Sequence, residues 1–234
     1  FSINDTTKFT INCTGYLANN TALLNGKYWL NVTINDSASN NHSDSLWINI
    51  SDTIPPSFTV IANQTHEYGE NFSYQITAID SNNISCYTVN DSANFDMNCT
   101  GYLQNITYLN VSFYWLNITS NDTIGNKNSS IIVINVSDTT SAAINITYPI
   151  NNTYTTDTNI AVNYTVSDLN LEACWYSNDT MNVNVTSGNC TNLTSITWTE
   201  AEHNITFWAN DTYGNLNSSD VLFTVDLTSP IFTN

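Results

Sequence analysis

The 234-residue sequence predicts an all-β protein built from two-sheet β-sandwiches repeated in tandem. Three observations predict it. The first is an internal duplication: shifted by 86 positions, residues 2–53 align with 88–139 without a gap, at 26 identities in 52 pairs. The second is an apolar period of two rather than 3.6, the pattern of half-buried strands. The third is punctuation. Runs of five to seven residues rich in Ile, Val, Thr, Tyr and Trp are broken by Asn-Asp-Thr, Asp-Ser-Asn-Asn and Tyr-Gly-Asn turns.

A partial repeat over 1–55 comes first. Its Asn12-Cys13-Thr14-Gly15-Tyr16-Leu17 returns as Asn98-Cys99-Thr100-Gly101-Tyr102-Leu103, and its Tyr28-Trp29-Leu30-Asn31 as Tyr114-Trp115-Leu116-Asn117. In Leu30-Asn31-Val32-Thr33-Ile34-Asn35 the apolar residues share one face and the Asn and Thr the other; Ile48-Asn49-Ile50-Ser51 does the same. A complete repeat over 56–140 follows, closed by Ile134-Asn135-Val136-Ser137 and Asp138-Thr139. A third, diverged repeat spans 141–228, with Asp168, Cys174 and Asn178-Asp179 answering Asp80, Cys86 and Asn90-Asp91. Residues 229–234 read as the start of a further repeat. About seven strands in some 85–90 residues suit a two-sheet sandwich.

Ala209-Asn210-Asp211-Thr212-Tyr213-Gly214-Asn215, the strand Val221-Leu222-Phe223-Thr224-Val225-Asp226 and Thr228-Ser229-Pro230 resemble the last hairpin and linker of tandem immunoglobulin-like domains. Such domains are common in prokaryotic, particularly archaeal, surface proteins. The resemblance covers the whole chain as architecture. It implies a fold, not a function, because this sandwich hosts many roles.

Composition excludes several functions. There are 20 acidic residues, three Lys (Lys8, Lys27, Lys127) and no Arg, for a net charge of −17. Nothing here neutralises phosphates, so nucleic-acid binding is excluded as a partner class. Anionic membrane surfaces are disfavoured on the same ground. No apolar run approaches the ~18 residues of a membrane helix, so no membrane insertion is expected in this segment. The polar surface comes instead from 40 Asn, 34 Thr and 24 Ser.

Of the 40 Asn, 28 stand in N-x-[S/T] sequons, the acceptors of N-linked glycans. Random placement would give about 10 by that sequon definition. Alternating strands whose polar set is only Asn, Thr and Ser generate some of them mechanically, as at Asn31 and Asn163. That origin does not explain the turn sequons Asn4, Asn41, Asn63, Asn90, Asn128, Asn151, Asn178 and Asn217. The remaining candidates are Asn12, Asn19, Asn35, Asn49, Asn71 and Asn83 in the first half of the chain. Asn98, Asn105, Asn110, Asn117, Asn121 and Asn135 follow, then Asn145, Asn184, Asn189, Asn192, Asn204 and Asn210. Covalent N-glycans are therefore expected. They would also block edge-to-edge strand pairing where other β proteins place Lys.

Repeat alignment pairs the five cysteines as Cys86 with Cys99 and Cys174 with Cys190, one disulfide per repeat; buried free thiols are the alternative. Cys13 is left over. Its partner would fall just before Phe1, so it is read as cut off from that partner, with a disulfide to another chain as the alternative. Disulfides imply an oxidising, extracellular setting.

No catalytic constellation emerges. His42, His66 and His203 occupy unrelated positions and read as surface residues, His42 in a polar turn. Glu200 with Glu202 and Glu67 with Glu70 lack the cleft a glycosidase pair needs. Asp80-Ser81-Asn82-Asn83, Asp168-Leu169-Asn170 and the inter-repeat Asp52, Asp138 and Asp226 could offer hard oxygens to Ca2+, or could cap loops as Asx turns. The Trp residues (Trp29, Trp47, Trp115, Trp175, Trp198, Trp208) lie on strand patterns and are assigned to core packing, with carbohydrate stacking second.

The sequence thus points to a non-enzymatic segment of a heavily N-glycosylated cell-surface protein that self-associates: a filament, stalk or S-layer-like structure. The alternative is an adhesin binding a glycan or a neighbouring cell. The partial ends allow completion of a sandwich by strand donation from another chain.

Overall fold

The computed structural model describes residues 1–179, 185–194 and 196–232. Among them the secondary structure is twenty-one strands and one 3₁₀ turn, Gly188–Cys190, without an α-helix. The described residues are all-β, their strands arranged in sandwich-like sheets. Its backbone divides into two compact units, one of Phe1–Ala62, Ser73–Gln104 and Leu116–Ile132, the other of Asn63–Phe72, Asn105–Trp115 and Val133–Asn234.

In the first unit the long hairpin of Gly26–Asn35 and Asn41–Ile50 pairs in register from Gly26↔Ile50 to Asn35↔Asn41. Ser2–Ile3 adds to its edge opposite Val32 and Thr33. Alternation turns Tyr28, Leu30 and Val32 toward Ile3 and Phe9, and the Phe9 and Tyr28 rings meet edge-on at 5.7 Å. Ile84–Val89 pairs antiparallel with Ile118 to Asp122, and Ile76, Phe95, Leu103, Leu116, Ile118 and Ile132 are buried.

The repeats are also equivalent in their turns. Asn12 Oδ1 accepts the Thr14 N–H (3.0 Å), the Thr14 hydroxyl (2.7 Å) and the Tyr16 N–H (2.9 Å). Asn98 Oδ1 accepts the same three groups of Thr100 and Tyr102 at 3.0, 2.7 and 3.0 Å. Both turns close on a left-handed glycine, Gly15 and Gly101. A Cβ on Gly101 would lie 2.1 Å from the Ile76 carbonyl oxygen, so only glycine fits there.

In the second unit a five-stranded sheet runs Thr153–Thr155, Leu216–Val225, Ala201–Asp211, Leu171–Asn178, Val185–Thr186. Ala143–Tyr148 and Asn163–Ser167 form a second sheet, whose Ile144, Ile146, Tyr164 and Val166 pack on Ile205, Phe207, Val221 and Phe223. Thr153–Thr155 runs parallel to Phe223–Val225, and Gln64–Glu67 runs parallel to Ile134–Ser137 at the corresponding place. The Trp198 indole closes the core and donates to the Ile160 carbonyl at 2.9 Å.

Four sequon asparagines expected in turns lie inside strands instead: Asn41, Asn128, Asn178 and Asn217. His42 likewise stands in the strand Asn41–Ile50. The hairpins beside Asn41, Asn128 and Asn217 are tight, so pairing runs up to the turn and takes in polar residues that composition alone assigns to loops.

Candidate functional site

The candidate site is a surface rather than a cleft. Twenty-seven of the sequon asparagines fall among the described residues, and none of them is buried; Asn184 lies outside the described residues. Asn105, Asn121, Asn128, Asn135, Asn163, Asn204 and Asn210 are half-buried, and the other twenty are exposed.

Their side chains divide by which amide atom is used. Asn4 Oδ1 accepts the Asn31 N–H at 2.9 Å, and its repeat-equivalent Asn90 accepts that of Asn117 at 2.8 Å. Asn63 and Asn151 form a second such pair, accepting from Val133 and Leu222, each at 2.9 Å. In these four bonds the oxygen works and the nitrogen, the atom a glycan replaces a proton on, is not used. Other sequons use the nitrogen. Nδ2 of Asn128 donates to the Pro56 carbonyl and that of Asn217 to the Ala142 carbonyl, each at 2.8 Å. Asn105 donates to Thr107 at 2.9 Å, and Asn210 to Glu172 at 2.6 Å. Among the described residues, the buried Oδ1 atoms of Asn204 and Asn210 have no hydrogen-bond partner.

A hairpin cap recurs in all three repeats. Asp36, Asp122 and Asp211 each accept backbone N–H groups of the turn, and each takes the side-chain amide of the residue four further on: Asn40 (2.9 Å), Asn126 (2.8 Å) and Asn215 (2.7 Å). Ser39, Gly125 and Gly214 hold the left-handed position of these turns. The Asn40 side-chain amide, with the Asn40 and Ala38 N–H groups, holds the Asp36 carboxyl below its ordinary range. At Asp211, burial pushes the pKa up, but the Asn215 side chain and the turn N–H groups together outweigh it, and the net shift is downward. A carboxyl with a lowered folded pKa contributes stability above its unfolded pKa and loses it as pH falls through the folded value. The urea midpoint is therefore expected to stay level from neutral pH down to the ordinary carboxylate range and to fall below it. A midpoint level or rising through that acid range would contradict the role given to the caps.

One linker carboxylate, one loop carboxylate and one hairpin cap converge in the first unit. Ligand oxygens of Asp52, Asp80 and Asp122 lie within 4.8 Å of one another, the only such three-residue group among the described residues. Amide donors already serve them: Asn82 Nδ2 bonds Asp52 Oδ2, Asn82 N–H bonds Asp80 Oδ1 at 2.8 Å, and Asn126 Nδ2 reaches the Asp52 carbonyl at 3.2 Å. In the second unit Asn170 Nδ2 bonds Asp138 Oδ2 at 2.6 Å and Asn215 Nδ2 the Asp138 carbonyl at 3.1 Å. Each linker is thus stitched to its sandwich by two asparagines.

Two disulfides, Cys86–Cys99 and Cys174–Cys190, are formed; Cys13 is a free, exposed thiol. His203 is buried, not on the surface: on Ala201–Asp211 it shares the inward parity of Ile205, Phe207 and Ala209, against the rings of Trp198 and Phe223. Its Nδ1 faces Asp179 at 3.1 Å and its Nε2 the Thr199 carbonyl at 2.8 Å. His66 Nε2 meets the Glu70 carbonyl at 3.0 Å. Glu67 accepts the Thr139 N–H and the hydroxyls of Thr139 and Thr140, so this carboxylate anchors a linker. Glu200 holds the Thr228 hydroxyl.

The tryptophans depart most from expectation. Trp198 is buried at 3% exposure, but Trp29, Trp47 and Trp115 are 63%, 52% and 67% exposed. Trp29 and Trp115 stand on the outer parity of strands whose inner parity is Tyr28 and Leu30, or Leu116 and Ile118, and Trp47 stands opposite the parity of Ile48 and Ile50 on Asn41–Ile50. Trp175 and Trp208, half-buried, stack on each other with centroids 6.5 Å apart.

Among the described residues no helix is long and apolar enough to cross a membrane. No protein-family model matches the chain, and no curated protein matches its sequence. Among solved structures it is similar to the fibronectin(III)-like modules of Clostridium thermocellum CbhA, at 16% identity, 76% of this chain, 100% of that one and a TM-score of 0.34. It is similar to Drosophila N-cadherin EC1-4 at 16% identity, covering 92% of this chain and 62% of that one, with a TM-score of 0.39. Sidekick-1 immunoglobulin domains 1-5 match at 14% identity over 92% of this chain and 48% of theirs, with a TM-score of 0.43. At these identities and TM-scores the likenesses carry no functional argument.

Proposed function

We propose that the chain is a non-catalytic, structural segment of a heavily N-glycosylated extracellular surface protein, whose sandwiches self-associate in a filament, stalk or surface layer. The observation that carries this reading is the placement of the sequons: twenty-seven described acceptors on a β-sandwich chain, none buried. The disulfides suit an oxidising compartment, and the asparagine stitches hold each linker to its own sandwich. Glycopeptide mapping of the secreted protein tests it. Occupancy is expected at Asn4, Asn63, Asn90 and Asn151 and to be lowest at Asn128, Asn210 and Asn217, whose nitrogens are committed. Bare sequons throughout would end the reading. Adhesion is the second reading, favoured by the exposed Trp29, Trp47 and Trp115, because an exposed indole is a surface on which a foreign sugar can stack.

Calcium is a further proposal for Asp52, Asp80 and Asp122. The three carboxylates fit a hard cation in oxygen chemistry but are partly committed to N–H donors, so the affinity expected is that of weak extracellular modules, roughly 0.1–1 mM. Millimolar CaCl2 should then raise the thermal midpoint over EDTA, and Asp80→Asn should abolish the rise. No shift would leave these carboxylates as caps of their linker, loop and hairpin alone.

A further inference from the structure

Four of the six tryptophans stand two residues before a sequon asparagine: Trp29–Asn31, Trp47–Asn49, Trp115–Asn117 and Trp208–Asn210. Random placement of sequons over the chain would give fewer than one such coincidence. On a strand, residues i and i+2 point to the same face, about 6.6–6.8 Å apart. Within Gly26–Asn35 that face is outward: Trp29 and Asn31 are exposed while Tyr28 and Leu30 turn inward. Ser112–Asp122 alternates likewise, with Trp115 and Asn117 exposed and Leu116 and Ile118 buried.

Resting on the glycosylation reading above, we infer that Trp29 and Trp115 are stacking platforms for the first sugar of the N-glycans on Asn31 and Asn117. The distance from Asn to Trp is the reach of one pyranose ring. The apolar C–H face of that ring lies on the electron-rich indole face, and both surfaces leave water together. This gives an exposed tryptophan a partner within its own chain. The other two pairs differ in a way that sharpens the assignment. Lys27 Nζ already covers Trp47 at 4.4 Å from the ring centroid, and it sits farther from Trp29, at 5.9 Å. In the next repeat Phe113 stands where Lys27 would, so no cation competes for Trp115. Trp208 is stacked on Trp175, and Asn210 has its nitrogen bound to Glu172, so that pair is not a platform.

The test is a cycle on the full chain made in a host that glycosylates N-x-T: Trp29→Ala, Asn31→Gln and both together, with site occupancy read by glycopeptide mass spectrometry. With Asn31 occupied, Trp29→Ala should lower the thermal midpoint by about 2–4 °C, and by clearly less in the Asn31→Gln background. Proton resonances of the Asn31-linked sugar should be shifted upfield by the indole ring current and lose that shift in Trp29→Ala. Equal losses in both backgrounds with no ring-current shift would overturn stacking while leaving glycosylation intact. So would an empty Asn31 beside occupied sequons elsewhere. A chain with no sugar on any sequon would overturn both readings.

Discussion

Replacing Phe207 with alanine is expected to cost about 3–5 kcal/mol, the range for emptying a large aromatic from a closed core. Phe207 is fully buried. Its ring lies 4.1 Å from that of Tyr164 on the opposing sheet and 5.9 Å from that of Tyr176 on the neighbouring strand. Collapse around the void is restricted, because the Tyr164 hydroxyl is tied to Ser187 at 2.9 Å and the Trp198 indole to Ile160 at 2.9 Å. Against a domain stability of roughly 5–15 kcal/mol this is a large fraction. Tyr154, 77% exposed on the edge strand, supplies the contrast: Tyr154→Ala should stay within about 0.5 kcal/mol of the parent. Urea unfolding of the two variants decides it. Similar losses for both would mean that the packing described between the two sheets is wrong.

Removing the Cys174–Cys190 disulfide by alanine at both positions should cost about 3 kcal/mol, chiefly by freeing a 16-residue separation in the unfolded chain. Alanine is the right replacement. Cys174 is buried with Ala142 and Ala209, and a hydroxyl there would add a polar group to an apolar cluster. An unfolding midpoint equal to that of the parent under oxidising conditions would show that this bond does not hold the sandwich together.

The hairpins and the two-sheet architecture were legible because Leu30-Asn31-Val32-Thr33 and Ile134-Asn135-Val136-Ser137 alternate cleanly. The face each parity takes was not. Alternation says that Tyr28 and Trp29 point opposite ways, and hydrophobicity alone then assigns the larger residue to the core. Asn31, on the parity of Trp29, is the residue that decides for the outside. His203 fails in the opposite direction: as a polar residue it reads as surface, but Ile205, Phe207 and Ala209 carry its parity into the core. The short parallel pairing of Gln64–Glu67 with Ile134–Ser137 left no trace, since four residues show no period. The hairpin caps were within reach. Asp36 and Asn40, Asp122 and Asn126, Asp211 and Asn215 keep a spacing of four in every repeat, a signal that amide capping explains and turn composition alone does not.

Intact mass of this 234-residue chain, secreted from a host that glycosylates N-x-T sequons and set against the 26.0 kDa of the bare polypeptide, tests the central claim most directly. A mass well above that value, falling back on enzymatic release of N-glycans, is the predicted result. A mass equal to the bare polypeptide would mean that the sequons are a by-product of strands written in Asn, Thr and Ser, and would contradict the account of this surface.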